Sequence, residues 1–250
     1  MVDVTSPAHA FEPHRSASAA SRAASVPNAE LMRSLGRLVR GLSALFWGLP
    51  VALVICFHTA NAPLLRNYGV APPLVATGLL SYGLWQLGAF QKQERVWRQA
   101  LDRAKILSLI NLGLSPFLYW SNHMPGGFFG SMVLLMIASG LLFLGSLNDV
   151  LRRLGAMLPD ESLRSEIRQF TGINLPLVAV TFLLTAVCLA LDRVPKLPLS
   201  LAFIMEVLHR VGFWFLILIM LVPVAMTMAL LWKTKEVILD SVFSAKTPAG

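Results

Sequence analysis

Three histidines and a glutamate are the residues of this chain whose spacing could support metal or haem chemistry. His58 and His123 are 65 residues apart, and each follows a basic residue by 18 positions, which is ~27 Å along a helix. Both are therefore predicted to reach the same side of a membrane, where His209 and Glu206 are also expected. Imidazole and carboxylate groups bind zinc and iron. We treat His58 and His123 as candidate cofactor ligands, and all four residues as candidate metal ligands, without assigning a cofactor.

Each of these residues also has a plain structural explanation. A half-polar imidazole ring is stable at a membrane interface without any ligand. The Glu206-x-x-His209 spacing occurs once, whereas di-iron bundles need two such pairs and two further glutamates. Glu206 and Arg210 are four residues apart and could form an ion pair on one helix face.

No catalytic signature accompanies these candidates. The chain has no P-loop, nucleophile elbow, His-Glu-x-x-His or Cys-x-x-Cys pattern, which are the short motifs that carry a recognisable mechanism. No Asp, Glu, Lys or Arg lies at the middle of a predicted span, although ion-coupled pumps usually need one. We assign no catalytic residue, and we favour a protein without enzymatic activity while leaving catalysis open.

The amino-acid composition indicates that most of the chain lies in lipid rather than in water. Hydrophobic residues make up 56% of the 250-residue chain and charged residues 14%, against about 25% charged in soluble domains. The formal net charge of +8 indicates contact with anionic lipid headgroups. Binding to nucleic acid is not expected, because the chain has no predicted soluble domain that could bind it. The predicted fold class is an all-α integral membrane protein.

The hydropathy pattern predicts a disordered cytoplasmic tail at 1–27 and a polytopic membrane domain at 28–250. An amphipathic helix over 28–42, with Leu31, Leu35, Leu38 and Leu42 on one face, precedes the first span. Six runs are long enough, or nearly so, to cross ~30 Å of hydrocarbon. They cover about 43–59, 70–90, 106–120, 128–147, 175–191 and 211–232.

The distribution of Lys and Arg predicts the orientation of these spans. The segments assigned to the cytoplasm contain 17 basic residues and the other side contains four. This bias alternates from loop to loop, which indicates six crossings with both termini in the cytoplasm. The basic residues expected to anchor the protein at the membrane surface are Arg33, Arg37, Arg40, Arg95, Arg98, Arg103, Lys105, Arg152 and Arg153.

The longer internal loops are predicted to form amphipathic helices along the inner leaflet. In the first loop, the apolar face comprises Val96, Trp97, Ala100, Leu101 and Ala104. In the second, a leucine stripe continues from span four, and Leu163, Ile167 and Phe170 point inward after a break at Pro159. Trp85, Trp97 and Trp232 are expected at headgroup level.

The chain also contains signs of a threefold internal repeat. A basic residue, Leu-Ser, Gly-Leu and Pro recur at an offset of 65 between the starts of spans one and three. The start of span five keeps the basic residue and the proline, and Ile-Asn-Leu occurs at both 110–112 and 173–175. We predict three parallel two-helix repeats around an axis along the membrane normal. Apolar sequence can also match itself without duplication.

These patterns favour a structural or assembly subunit of a larger membrane complex. The expected partners are anionic headgroups on the cytoplasmic side, together with other membrane-protein subunits or further copies of the chain. One alternative is a transporter or channel for a small or apolar solute, and a second is a haem- or metal-binding redox subunit. The expected location is a bacterial-type inner membrane, in preference to an organellar one.

Overall fold

Helices form nearly the whole of the described chain. The computed structural model describes residues 14–61, 67–90, 94–124, 127–157, 161–192 and 221–240, with side chains given except at 14–31, 61, 162–163, 185 and 188–192. The helices are α1 His14–Asn61, α2 Ala71–Leu87, α3 Arg95–Leu114, α4 Pro116–His123, α5 Gly127–Met157 and α6 Glu161–Asp192. Residues 221–240 are helical and are called α7. No strand occurs in the described ranges.

Three stretches are long and apolar enough to cross a membrane. They are Met32–Ala60, Gly127–Met157 and Arg164–Leu184. They contain or overlap the first, fourth and fifth spans predicted from hydropathy. The 31 residues of α5 measure ~46 Å along the helix axis, which is longer than the ~30 Å thickness of a bilayer core.

The remaining predicted spans match helices less completely. The second corresponds to α2, which has 17 residues. The third is divided between α3 and α4 at Ser115, because Pro116 has no N–H to continue the helical hydrogen bonds. The sixth overlaps the described residues only over 221–232, and 211–220 lie outside them.

Residues 14–27, predicted to be disordered, belong to α1 in the structure. The five alanines of this stretch have the highest intrinsic helix propensity, which composition-based prediction of disorder does not weigh. The rest of the predicted tail, 1–13, lies outside the described residues.

The helices follow one another around a ring. Neighbouring contacts join α1 to α2, α2 to α3, α3 to α5, and α5 to α6. Hydrogen bonds join α6 to α7, and the rings of Phe46 on α1 and Trp232 on α7 lie 5.5 Å apart, centroid to centroid. Each described helix of the ring therefore contacts the next, and α7 returns to α1.

The segments predicted to lie along the membrane surface are parts of longer helices. Residues 32–42, 95–105 and 147–157 continue the long helices α1, α3 and α5 without a break, and their apolar faces pack against neighbouring helices. Trp97 is 1% exposed and is therefore not a headgroup anchor. Because a stripe at helical period can be buried by lipid or by protein, periodicity alone does not distinguish the two. Phe170, which was predicted to point inward, is 36% exposed, and Val96 of the predicted apolar face is 50% exposed.

Candidate functional site

A cluster of three buried polar side chains joins α5, α6 and α7. Asn148 Nδ2 donates to Thr227 Oγ1 at 3.2 Å, and Asn174 Nδ2 donates to the same oxygen at 3.0 Å. Thr227 in turn donates to the carbonyl of Pro223, four residues earlier, at 2.7 Å. All three side chains are almost fully buried. The hydroxyl therefore acts as a shared acceptor that ties two helices to a third.

A second buried polar contact joins α3 to α5. Ser139 Oγ donates to Asn111 Oδ1 at 2.6 Å. About one turn earlier on α3, Ser81 Oγ of α2 donates to Ser108 Oγ at 3.3 Å. Interhelical bonds of this kind hold helices together in lipid, where the alternative is an unpaired polar group.

Close backbone approach takes the place of polar contacts between α1 and α2. A Cβ placed on Gly83 would lie 2.8 Å from Leu45 Cγ and 3.1 Å from the carbonyl oxygen of Gly41. A Cβ on Gly41 would lie 2.8 Å from the carbonyl oxygen of Gly83 and would also meet Leu87. Only glycine fits at this crossing, because a real side chain would force the two backbones apart.

The far ends of α1 and α4 are joined by a side-chain cap. Asn122 Nδ2 donates to the carbonyl oxygens of Thr59 and Ala60 at 2.7 and 2.8 Å. These carbonyls lie in the last turn of α1, where helical partners run out. Thr59 follows His58 and Asn122 precedes His123 in the sequence. The cap therefore holds the two histidines at the same end of the molecule.

An elongated surface groove runs between α3, α5 and α6. Its volume is about 690 Å³. Small residues of all three helices lie along its wall, namely Ala100, Gly145, Ser146 and Ala179, and larger apolar side chains of α5 and α6 form most of the rest. Arg103, Asp149 and Arg152 line one end. The full lining comprises Ala100, Arg103, Leu141, Leu142, Gly145, Ser146, Asp149, Arg152, Thr171, Leu175, Val178, Ala179, Phe182 and Leu183.

Within the described side chains, three buried polar atoms have no hydrogen-bond partner. They are Trp97 Nε1, Thr171 Oγ1 and Asn174 Oδ1. Thr171 lines the groove and is 5% exposed. A threonine inside a helix commonly bonds the carbonyl one turn earlier, as Thr181 does at 2.8 Å, so the free hydroxyl of Thr171 is unusual here.

The predicted metal and cofactor residues are only partly described. His123 Nδ1 lies 2.8 Å from the carbonyl oxygen of Tyr119, and the two rings stack. His58 contacts the edge of Phe57. His209 and Glu206 lie outside the described residues, and within these residues no three His, Cys, Asp or Glu side chains converge on a point. The metal or haem site stays a prediction.

Basic residues predicted to meet the headgroups are largely accessible. Seven of the nine are exposed, and Lys105 and Arg153 are half-buried. Asp149 pairs with Arg152 at 2.7 Å and with Arg153 at 3.0 Å. Lys105 Nζ lies 5.7 Å above the Trp85 ring and Lys235 Nζ lies 5.4 Å above the Trp232 ring. These lysine and tryptophan pairs fit an interface between water and lipid.

Sequence reasoning missed the cluster of Asn148, Asn174 and Thr227. Asn148 comes directly after the predicted end of span four and Asn174 directly before span five, so both looked interfacial. The signal that could have found Asn174 is the Ile-Asn-Leu segment that it shares with Asn111.

Comparison of the chain with protein-family models, with curated proteins and with solved structures finds no match. The function must therefore be inferred from the chain's own residues.

Proposed function

We propose that this protein is a six-span membrane protein with both termini in the cytoplasm, acting as a structural or assembly subunit of a larger membrane complex. A bacterial-type inner membrane is the proposed location. The single observation that carries the proposal is that the buried polar side chains serve helix packing. Those with a hydrogen-bond partner bond either to a neighbouring helix or within their own helix.

The spacing of two interfacial belts supports the six-span arrangement. Phe117, Trp120, Phe128 and Phe129 form a connected aromatic cluster at one end of the bundle. Asp149, with its two arginines, lies toward the other end. Phe129 and Asp149 are 20 residues apart in α5, which is ~30 Å along the helix axis. That distance equals the thickness of the hydrocarbon core.

The pairing of helices supports the threefold repeat. In the second unit Asn111 bonds to Ser139, and in the third Asn174 bonds to Thr227. Both asparagines come from the shared Ile-Asn-Leu segment, and both bond to a hydroxyl on the following long helix. The first unit has the Gly41 and Gly83 contact instead. The ring of helices has the order that three parallel pairs around one axis would produce.

The bonding of these polar groups favours a structural role over transport. A pathway for a polar solute needs polar groups that face a cavity. Here Ser139, Asn148 and Thr227 are buried and bonded to neighbouring helices, and they are not among the residues that line the groove. The groove wall is mainly apolar away from its charged end.

Co-purification tests the assembly role. The tagged full-length chain is extracted in a mild detergent from its native host, and the masses of the particles are measured by native mass spectrometry. We expect membrane-protein partners, or further copies, at a fixed stoichiometry that survives a second affinity step. An extracted chain that is always monomeric and partner-free would contradict the proposal. A tagged multi-pass protein of similar size, extracted in parallel, controls for incidental carry-over.

A second readout separates assembly from casual association. Depletion of the chain is expected to lower the membrane level of its partner severalfold, because unassembled membrane subunits are degraded. An unchanged partner level would oppose an assembly role even if the two proteins co-purify.

A further inference from the structure

The groove between α3, α5 and α6 has the properties of a site for one lipid chain with a charged head. Several of its apolar residues are exposed, with Leu142 at 52%, Leu175 at 50% and Leu183 at 64%. These side chains need an apolar neighbour, and the floor at Gly145 is open: a Cβ there would meet only Val178, at 3.9 Å.

The length of the groove matches one leaflet. Thr171 and Leu183, both in its lining, are 12 residues apart on α6, or ~18 Å along the axis. Half of the hydrocarbon core is ~15 Å thick. The apolar wall therefore extends over the depth that an acyl chain of one leaflet occupies, whereas a transmembrane helix of a partner would need a groove through both leaflets.

Charge identifies which end holds the headgroup. Arg103 and Arg152 lie at the same end of the groove with Asp149. Asp149 is already paired with Arg152 and Arg153, and no carboxylate in the described residues lies within ion-pair distance of Arg103. The group of three arginines and one aspartate therefore has an excess positive charge, which suits a phosphate.

Thr171 adds a polar group at the boundary between the charged and apolar parts. Thr171 lines the groove, and its hydroxyl oxygen is buried and has no hydrogen-bond partner. It lies about one helical turn beyond Arg168, the last basic residue before the apolar part of α6. In a phospholipid, the ester groups occupy the corresponding position between the phosphate and the acyl chains, and their oxygens accept hydrogen bonds.

We propose that this groove binds one anionic phospholipid of the cytoplasmic leaflet. One acyl chain lies along Gly145, Val178 and Phe182, and the phosphate lies at Arg103 and Arg152. The Thr171 hydroxyl turns toward the groove when the lipid binds and donates a hydrogen bond to an ester oxygen. The proposal does not depend on the assembly role, since a lone chain would bind the same lipid.

Native mass spectrometry of the full-length protein in detergent tests the site. Dioleoyl-phosphatidylglycerol and dioleoyl-phosphatidylcholine are added at equal mole fraction, and inorganic phosphate is added in a separate arm. We expect one phosphatidylglycerol retained per chain, at least fivefold less phosphatidylcholine, and no displacement by phosphate. Equal retention of both lipids, or displacement by inorganic phosphate, would overturn the proposal. So would a co-purified protein segment that occupies the groove and excludes lipid.

Two charge variants locate the headgroup. Arg103→Gln with Arg152→Gln is expected to weaken phosphatidylglycerol binding by about tenfold to thirtyfold, since each basic residue near the surface contributes about a factor of five. Asp149 keeps its bond to Arg153 in this variant. Arg37→Gln with Arg95→Gln removes the same charge from exposed positions outside the groove lining, and should change binding less than threefold. Equal losses in the two variants would show a diffuse surface effect instead of a site.

Three further variants locate the chain and the ester. Ala179→Trp fills the groove from an exposed position and should abolish retention, whereas Val180→Trp, on the next and also exposed residue, should not. Thr171→Val should lower retention severalfold without lowering the melting temperature of the lipid-free protein, because the hydroxyl has no partner to lose. Full retention by Ala179→Trp would rule out the groove. If that variant fails to fold, Thr171→Val and the arginine variants still decide the question.

Discussion

At the scale of single residues, the shared hydroxyl of Thr227 is the contact on which the packing of α5, α6 and α7 depends most. Two amide donors from different helices converge on its oxygen, and its own proton is used within α7. In an apolar surrounding, the loss of the Thr227 hydroxyl removes this acceptor from both amide donors, and a buried donor left unpaired costs more than the bond itself contributes.

A double-mutant cycle measures this coupling. Asn148→Ala and Thr227→Ala should each lower the free energy of unfolding by about 1–2 kcal/mol, with an interaction term of about 0.5–1.5 kcal/mol between them. Unfolding of the purified protein in mixed micelles by added denaturing detergent gives all four values.

A matched cycle provides the control. Ser139 lies on the same helix as Asn148 but bonds to Asn111, so Asn148→Ala and Ser139→Ala share no partner. Their effects should add within about 0.5 kcal/mol. A coupling as large in this control as in the Asn148 and Thr227 cycle would contradict a discrete three-residue cluster.

At the scale of helices, the crossing of α1 and α2 depends on the absence of side chains at two positions. Gly41→Ala places a Cβ against the backbone oxygen of Gly83 and against Leu87. The expected loss is about 1–3 kcal/mol in the free energy of unfolding, because backbone cannot move aside as a side-chain end can.

Gly36 of the same helix is the natural comparison, since a Cβ there meets nothing within 4 Å. Gly36→Ala should leave stability unchanged or raise it by about 0.5–1 kcal/mol, through reduced flexibility of the unfolded chain. Equal destabilisation by both alanines would show that helix propensity, and not the crossing, determines the effect.

The helices are also the scale at which the sequence was most informative. Runs of apolar residues located a helix for every predicted span, as far as each lies within the described residues, because hydrocarbon requires internally bonded backbone. Whether each amphipathic face packs against lipid or against protein was not predictable, since Leu38 and Trp97 follow the same helical periodicity in either case. The packing role of a glycine was not predictable either, since Gly83 and Gly88 make close contacts, whereas Gly78, Gly140 and Gly145 have room for a Cβ.

Pairings between distant segments were the least predictable. Asn148 and Thr227 are 79 residues apart, and no local pattern relates them. The groove follows from the relative positions of three helices and was likewise beyond sequence reasoning, although its arginines had been recognised as membrane-facing.

At the scale of the whole molecule, the proposed topology is a ring of membrane-crossing helices with its basic ends on one side. Three helices have the length and apolar character to cross a bilayer. The helices packed beside them run antiparallel to them. Exposed tryptophans at Trp47 and Trp85, 64% and 72% accessible, would be costly in water and are stable in lipid or at its boundary.

Cysteine accessibility in sealed, right-side-out vesicles tests this arrangement most directly. In a background in which Cys56 and Cys188 are replaced by alanine, single cysteines are introduced at Gln99, Met124 and Ala156, which are all exposed in the structure. The six-span topology predicts that an impermeant thiol reagent labels position 124 in intact vesicles, and labels 99 and 156 only after permeabilisation. Labelling of 99 and 156 from opposite sides of the membrane would contradict the six-span topology and the three parallel pairs.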